Sequence, residues 1–105
     1  HLVQGHVDGV AKCLGISIND GSWIYKFEFD IKQESLLIEK GSICINGVSL
    51  TVFDLKENNF SVTIIPYTYE NTCFKFLKKG ELVNLEFDMI GKYLLRFSNL
   101  KNINN

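Results

Sequence analysis

Hydrophobic and polar residues alternate over several short segments of this chain, which is the pattern of strands with one buried face. The clearest case is residues 23–29, WIYKFEF, in which the four aromatic residues share one face. Residues 6–18 alternate less regularly and end at NDGS, residues 19–22, a strong turn signal. We therefore predict that these two segments form a hairpin.

A second hairpin is predicted around Asn46-Gly47. The apolar run SICI, residues 42–45, precedes this pair, and VSLTVFDL, residues 48–55, follows it. Asn-Gly between apolar runs is the strongest short hairpin signal, since both residues accept positive φ angles. Two further strands are predicted from the same alternation, over residues 60–65 and 82–90.

Short helices are predicted between the strands and at the end of the chain. One covers about 31–39, and another covers about 67–75, after Pro66, which suits a first helical turn. The segment from residue 89 to about 100 places apolar residues at helical spacing and predicts an amphipathic helix. The domain would then comprise residues 1–88, and the helix with a frayed tail would comprise residues 89–105.

The strand count predicts the fold class. Six short antiparallel strands joined mostly by hairpins favour an all-β protein, a closed six-stranded barrel with Greek-key connections, short helices and a C-terminal helix. Closure would remove exposed strand edges. An open sandwich is the alternative.

Composition narrows the classes of partner. The chain has 105 residues with a net charge of −1, which gives no electrostatic support for binding nucleic acid or an anionic membrane. No apolar run reaches membrane-spanning length. Cys13, Cys44 and Cys73 match no zinc pattern and predict reduced, packed thiols in a cytosolic protein. His1 and His6 fall on opposite faces of a strand, so no metal pair is predicted.

Ser49 and Thr51 are the first candidates for chemistry. They share one face of the strand over 48–55, opposite three aliphatic residues, so they should lie on the outer wall of the barrel. Two interpretations stay open. The pair is either a solvated strand face, in which threonine is a good strand former, or a set of hydrogen-bonding groups for a planar ring or a sugar-like chain.

Other candidates also have two interpretations. Lys40 is either a solvated loop charge or a site residue, and Asp88 is either a cap of the tail helix or a ligand contact. Thr68 could equally cap the helix after Pro66 or bind a ligand. The sequence contains no glycine-rich phosphate loop and no hydrolase triad.

Five motifs carry a family resemblance. They are, in chain order from His1 to about Leu100, HLVQGHVDG, KGSICINGVSLTV, IPYTYENT, KKGELVNLEFD and IGKY. Together they resemble riboflavin synthase of the alpha-subunit type, in its lumazine-binding domain. That family has two such barrels in tandem and a C-terminal helix that makes trimers. The resemblance implies that this chain is the second barrel with its helix, and that the first barrel is missing from it.

The resemblance also implies a reaction. In the family, two molecules of 6,7-dimethyl-8-ribityllumazine dismutate to riboflavin and a ribitylamino-pyrimidinedione, without a metal or redox cofactor, in the cytoplasm. The active site forms between the first barrel of one subunit and the second barrel of another. This chain is then expected to bind a lumazine or riboflavin, to supply half of a site, and to form a trimer, or a dimer in which a second copy replaces the missing barrel.

Site residues follow from the resemblance position by position. The implied catalytic residues are Ser49, His6 and Lys40. The implied ligand-binding residues are Asn46, Gly47, Thr51, Ile65, Thr68 and Asp88, the last on ribityl hydroxyls. Two other functions remain open: a non-catalytic lumazine or flavin carrier of the same superfamily, and a barrel module without a ligand.

Overall fold

A computed structural model describes residues 7–30, 37 and 39–87. This part of the chain contains six strands, one short α-helix and one 3₁₀ helix. They are β1 (Gly9–Asn19), β2 (Ser22–Phe29), β3 (Ser42–Ile45), β4 (Val48–Thr51), β5 (Asn59–Ile64), α1 (Pro66–Asn71), the 3₁₀ helix (Cys73–Phe76) and β6 (Leu82–Phe87). Neither helix is long and apolar enough to cross a membrane within this described part of the chain.

The strands form one antiparallel sheet in the order β4-β3-β6-β1-β2-β5. Both predicted hairpins are confirmed. The turn between β3 and β4 holds Asn46 at φ 47° and Gly47 at φ 86°, and the turn between β1 and β2 holds Asp20 at φ 51° and Gly21 at φ 83°. Positive φ at both central residues matches the twist of the flanking strands. The all-β, antiparallel class is therefore confirmed.

Backbone pairing does not close this sheet into a barrel. The strands β4 and β5 stand at its two ends, and β4 stops at Thr51, although the sequence predicted a strand to residue 55. The reason is that Val52 pairs with residues 40 and 41: its N–H donates to Gly41 at 2.8 Å, and its C=O accepts from Lys40 at 2.7 Å. Past this point, Phe53 forms one isolated bridge to Ser61 of β5. The closed Greek-key barrel stays a prediction.

The predicted helices are described only in part. The helix predicted over 67–75 is interrupted at Thr72, whose φ of −133° and ψ of −177° are extended. Thr72 Oγ1 accepts a hydrogen bond from the Phe74 N–H at 3.3 Å, and this bond starts the separate 3₁₀ helix. The helix predicted over 31–39 lies largely outside the described residues, and the C-terminal helix from residue 89 lies wholly outside them.

The core contains the aromatic face that the alternation of β2 predicted. Tyr25, Phe27 and Phe29 are buried, and they pack with Phe60 and Phe74. The same cluster contains buried aliphatic residues from β3, β5 and β6 and from the position after β4: Ile43, Ile45, Val52, Val62, Ile64, Val83 and Leu85. Burial of apolar surface on this scale is the main force that holds the sheet together.

The cysteines follow the prediction except at one position. None of the three forms a disulfide, and Cys13 and Cys44 are buried. Cys73, however, is exposed because it begins the 3₁₀ helix on the surface, so it is not the packed thiol that the sequence predicted.

Candidate functional site

A groove on the outer surface lies between β4, β5 and the start of α1. It has a volume of about 460 Å³. Its walls are formed by hydroxyl-bearing and apolar side chains: Ser49, Leu50, Thr51, Phe53, Thr63, Ile65 and Thr68. The structure thus brings together Ser49, Thr51, Ile65 and Thr68, which the resemblance implied as site residues.

The pleat of β4 turns its hydroxyl groups towards this groove. Val48 and Leu50 pack against the core, and Val52 is fully buried. Ser49 and Thr51, which alternate with them, are exposed. Successive side chains of a strand point to opposite faces, so the inward packing of the three aliphatic residues fixes both hydroxyls on the outer wall. The predicted orientation of the pair is confirmed.

The opposite wall is built where β5 passes into α1. On β5, Val62 and Ile64 are fully buried, while Thr63 is exposed. Ile65, 54% exposed, is the last residue before Pro66 and accepts the first helical hydrogen bond, from the Tyr69 N–H at 2.9 Å. Proline fixes φ near the helical value and therefore suits this first position. The apolar side chain of Ile65 is thus held at the edge of the groove.

Thr68 lies within α1 and does not cap it. The N-cap position is Ile65, and no side chain forms a hydrogen bond there. The helix is anchored to β2 by Tyr69, whose ring stacks on Trp23 with centroids 3.7 Å apart and planes 5° apart. Parallel stacking of two aromatic rings stabilises this packing. Thr68 therefore presents its side chain to the groove from a helix that is held against the sheet.

Three groove residues were not among the predicted site residues: Leu50, Phe53 and Thr63. The alternation of the strands contains the signal for two of them. Phe53 continues the outward series of Ser49 and Thr51, and Thr63 is the outward residue between Val62 and Ile64. Only the packing of β5 beside the end of β4 shows that they line the same groove.

Asn46 and Gly47 lie elsewhere. They line a smaller hollow of about 210 Å³ together with Cys44, Asn84 and Glu86 among others. Asn46 Oδ1 accepts a hydrogen bond from the Asn84 N–H at 2.7 Å, and the Asn46 N–H donates to the Asn84 C=O at 2.9 Å. These contacts fasten the hairpin turn to β6, which is a structural role.

Lys40 does not line the groove either. It is exposed at the end of the β3–β4 hairpin opposite to Asn46, with φ 65°, and its N–H pairs with Val52. His6 and Asp88 lie outside the described residues. Of the two implied catalytic residues that the structure describes, Ser49 lines the groove and Lys40 does not.

The electrostatics of the groove are simple because none of its seven described lining side chains is ionisable. Beside the groove, Ser49 pairs with Cys44 across the hairpin, and Cys44 pairs with Glu86 of β6, on the same face of the sheet. Burial raises the pKa of the Cys44 thiol, and the carboxylate of Glu86 raises it further. A thiol with a raised pKa is a poor nucleophile. The groove can hold a neutral ligand, but it lacks an acid or a base among these side chains.

Comparison with known proteins gives the family. The family model of the lumazine binding domain matches residues 4–88. The chain belongs to the lumazine-binding domain family. This lumazine-binding domain is 41% identical over 104 residues to the riboflavin synthase of Bacillus subtilis (strain 168). The aligned residues make up 99% of the chain and 48% of the relative. The domain is 42% identical over 97 residues to the riboflavin synthase of Actinobacillus pleuropneumoniae, covering 92% of the chain and 45% of the relative. The resemblance seen in the sequence is confirmed.

Solved structures show the same fold. The domain matches LumP complexed with 6,7-dimethyl-8-(1'-D-ribityl) lumazine at a TM-score of 0.73 and 27% identity, over 82% of the domain and 47% of that chain. It matches LumP complexed with riboflavin at a TM-score of 0.74 and 27% identity, over 84% of the domain and 47% of that chain. The domain spans about half the length of the curated relatives and of the solved chains that it matches.

Proposed function

We propose that the chain is the second lumazine-binding barrel of a riboflavin synthase, and that the groove between β4, β5 and α1 holds the ring of a lumazine or flavin. One observation supports this most directly: four residues implied by the family motifs, from β4, from the junction of β5 with α1 and from α1 itself, line one groove. These residues are Ser49, Thr51, Ile65 and Thr68.

The groove suits a neutral, planar heterocycle. Hydroxyl groups can both donate and accept hydrogen bonds, so Ser49, Thr51 and Thr68 match a ring edge on which carbonyl oxygens and nitrogens alternate. The exposed apolar side chain of Ile65 at the edge of the groove favours the face of the ring. Charged side chains are absent from the described lining, which suits a substrate that carries no charge in its ring.

The proposed reaction transfers a four-carbon unit from one 6,7-dimethyl-8-ribityllumazine to another, giving riboflavin and a ribitylamino-pyrimidinedione. It needs two rings face to face, and holding them together supplies much of the rate enhancement. It also needs a base for a methyl proton and a nucleophile for the second ring. We assign Ser49 to contact with the reacting ring, and we keep His6 and Lys40 of this chain as its further catalytic residues.

The proposal therefore includes a partner. That partner is the first barrel of a riboflavin synthase. It covers the groove and carries the other lumazine. Asp88 holds the ribityl hydroxyls, and no metal or redox cofactor takes part. The assembly is a trimer formed through the C-terminal helix, or a dimer of this chain, and it acts in the cytoplasm.

A second candidate function is that of a non-catalytic carrier. It is favoured by the match to LumP, whose structures contain a lumazine or riboflavin. A carrier needs the binding groove alone, whereas the synthase needs a second barrel and its catalytic groups.

The test has two parts. Riboflavin and the lumazine are titrated into the chain and followed by ligand fluorescence, and riboflavin formation from the lumazine is then assayed beside a two-barrel synthase. We expect binding of both ligands and little or no turnover by the chain alone, since groups that act as a unit lose most of their effect when some are removed. Restored turnover on addition of a first barrel supports the synthase. Absence of binding would refute the proposal, and turnover at the rate of the two-barrel enzyme would refute the half-site.

A further inference from the structure

Phe53 is the one aromatic side chain among the described residues that line the groove. It continues the outward series of β4, after Ser49 and Thr51, and it is partly exposed. The other lining side chains are hydroxyl-bearing or aliphatic. Any aromatic contact that these residues offer to a bound ring must therefore come from Phe53.

Hydrogen bonds hold the backbone of Phe53 and of the two residues that follow it. Its N–H donates to the Ser61 C=O, and the Ser61 N–H donates to its C=O, both at 2.9 Å. The next two residues are also held, because the Glu39 carboxylate accepts from the Asp54 N–H at 3.1 Å and from the Leu55 N–H at 2.8 Å. Because this backbone is already fixed, no backbone ordering is needed when a ligand packs against the side chain.

The ring of Phe53 complements the hydroxyl groups of the groove both in its position and in its chemistry. Hydroxyls recognise the edge of a heterocycle through its nitrogens and carbonyl oxygens, whereas an aromatic ring recognises its face by offset stacking. The antiparallel bridge of Phe53 to Ser61 puts Thr63 of β5 beside Thr51 of β4, so Phe53 lies at the end of this row of hydroxyls.

We propose that Phe53 is the surface on which the planar ring of the lumazine or flavin stacks, an inference that rests on the proposed binding function. The stacking energy belongs to the ring and not to the ribityl chain. It therefore contributes equally to every ligand with the same ring, whatever substituent the ring carries.

The experiment compares two ligands and three variants. The ligands are riboflavin and lumiflavin, in which a methyl group replaces the ribityl chain. The variants are Phe53→Leu, Phe53→Trp and the matched control Phe76→Leu, which changes a phenylalanine that is 70% exposed and does not line the groove. Each is titrated by flavin fluorescence, and urea unfolding checks that each variant folds.

We expect Phe53→Leu to weaken the binding of both ligands by the same factor, between about twofold and tenfold, the range measured for aromatic pairs. Phe53→Trp keeps a stacking surface, so it should retain binding and quench the bound flavin more strongly. Phe76→Leu should leave both affinities unchanged.

The outcomes separate the two proposals. If the unaltered chain binds neither flavin, the proposed function itself fails. If it binds both and Phe53→Leu has the same affinities, the stacking proposal fails while the function stands. Weakening of riboflavin binding alone would assign Phe53 to the ribityl chain and overturn the proposal. Should Phe53→Leu not fold, the quenching by Phe53→Trp decides: unchanged flavin emission relative to the unaltered complex contradicts stacking.

Discussion

Replacement of Tyr25 by phenylalanine tests how the core holds the helical segment beside the groove. Tyr25 lies on β2 and is 1% exposed. Its hydroxyl donates to the Phe74 C=O at 2.8 Å, and its ring meets the Phe74 ring edge-on, with centroids 5.1 Å apart. Tyr25→Phe removes the hydroxyl and leaves a ring of the same shape in the core.

The expected loss of stability at neutral pH is small. A typical hydrogen bond contributes about 0.5–1.5 kcal/mol net, and a buried acceptor that is left unpaired costs more. The Phe74 C=O also accepts from the Leu77 N–H at 3.1 Å, so it keeps one partner in the variant. We therefore expect Tyr25→Phe to lower the free energy of unfolding by about 1 kcal/mol.

At alkaline pH the stability advantage of the unaltered chain over Tyr25→Phe should shrink. Burial raises the pKa of Tyr25 from 10.0 to about 12. Below the unfolded value the phenol is protonated in both states, so its stabilising effect is complete there. Above it, the unfolded chain loses the proton first, and this stabilisation declines until the pH passes the folded value. About 1.4 kcal/mol should be gone at about pH 11, a loss comparable with the contribution of the hydrogen bond that the variant lacks.

The assay is urea unfolding of both proteins at several pH values between about 7 and 11. Tyr67→Phe is the matched control, since Tyr67 is 75% exposed and its loss should change stability by less than about 0.5 kcal/mol at every pH. A difference between the unaltered chain and Tyr25→Phe that stays constant from neutral to alkaline pH would refute the buried, hydrogen-bonded phenol.

Three further predictions concern the groove and its supports. Thr51→Val with Thr68→Val should weaken riboflavin binding by about 1–3 kcal/mol in total, through lost hydrogen bonds; unchanged affinity in a fluorescence titration would remove both from the site. Gly47→Ala should destabilise the chain by about 1 kcal/mol, because φ is +86° there although the space is open. Gly15→Ala, also in open space and without a positive φ, is its control, and equal losses in urea unfolding would contradict the argument. Tyr69→Leu should lower the free energy of unfolding by about 0.5–1.5 kcal/mol beyond the effect of the lost buried area. It should also change the fluorescence emission of the single tryptophan, on which Tyr69 stacks, and unaltered emission would contradict the stacking.

The sequence alone determined the faces of the strands and the places of the hairpins. Alternation put Tyr25 and Phe27 in the core and Ser49 and Thr51 outside, because the pleat of a strand ties each side chain to a face through its immediate neighbours. Asn46-Gly47 marked its turn for an equally local reason, since its φ angles suit few other residue pairs. The family motifs added the site residues, which alternation by itself could not select.

Only the tertiary structure decided which of these residues share a groove. Ile65 and Thr68 meet Ser49 and Thr51 because β5 packs beside the end of β4, a contact between distant parts of the chain that no local period encodes. The same packing adds Phe53 to the groove, and the path of the hairpin takes Asn46 and Lys40 away from it. The face to which a side chain points depends on the residues next to it in the strand. The groove depends on pairing between strands that are far apart in the sequence, and this pairing forms only when the whole core forms.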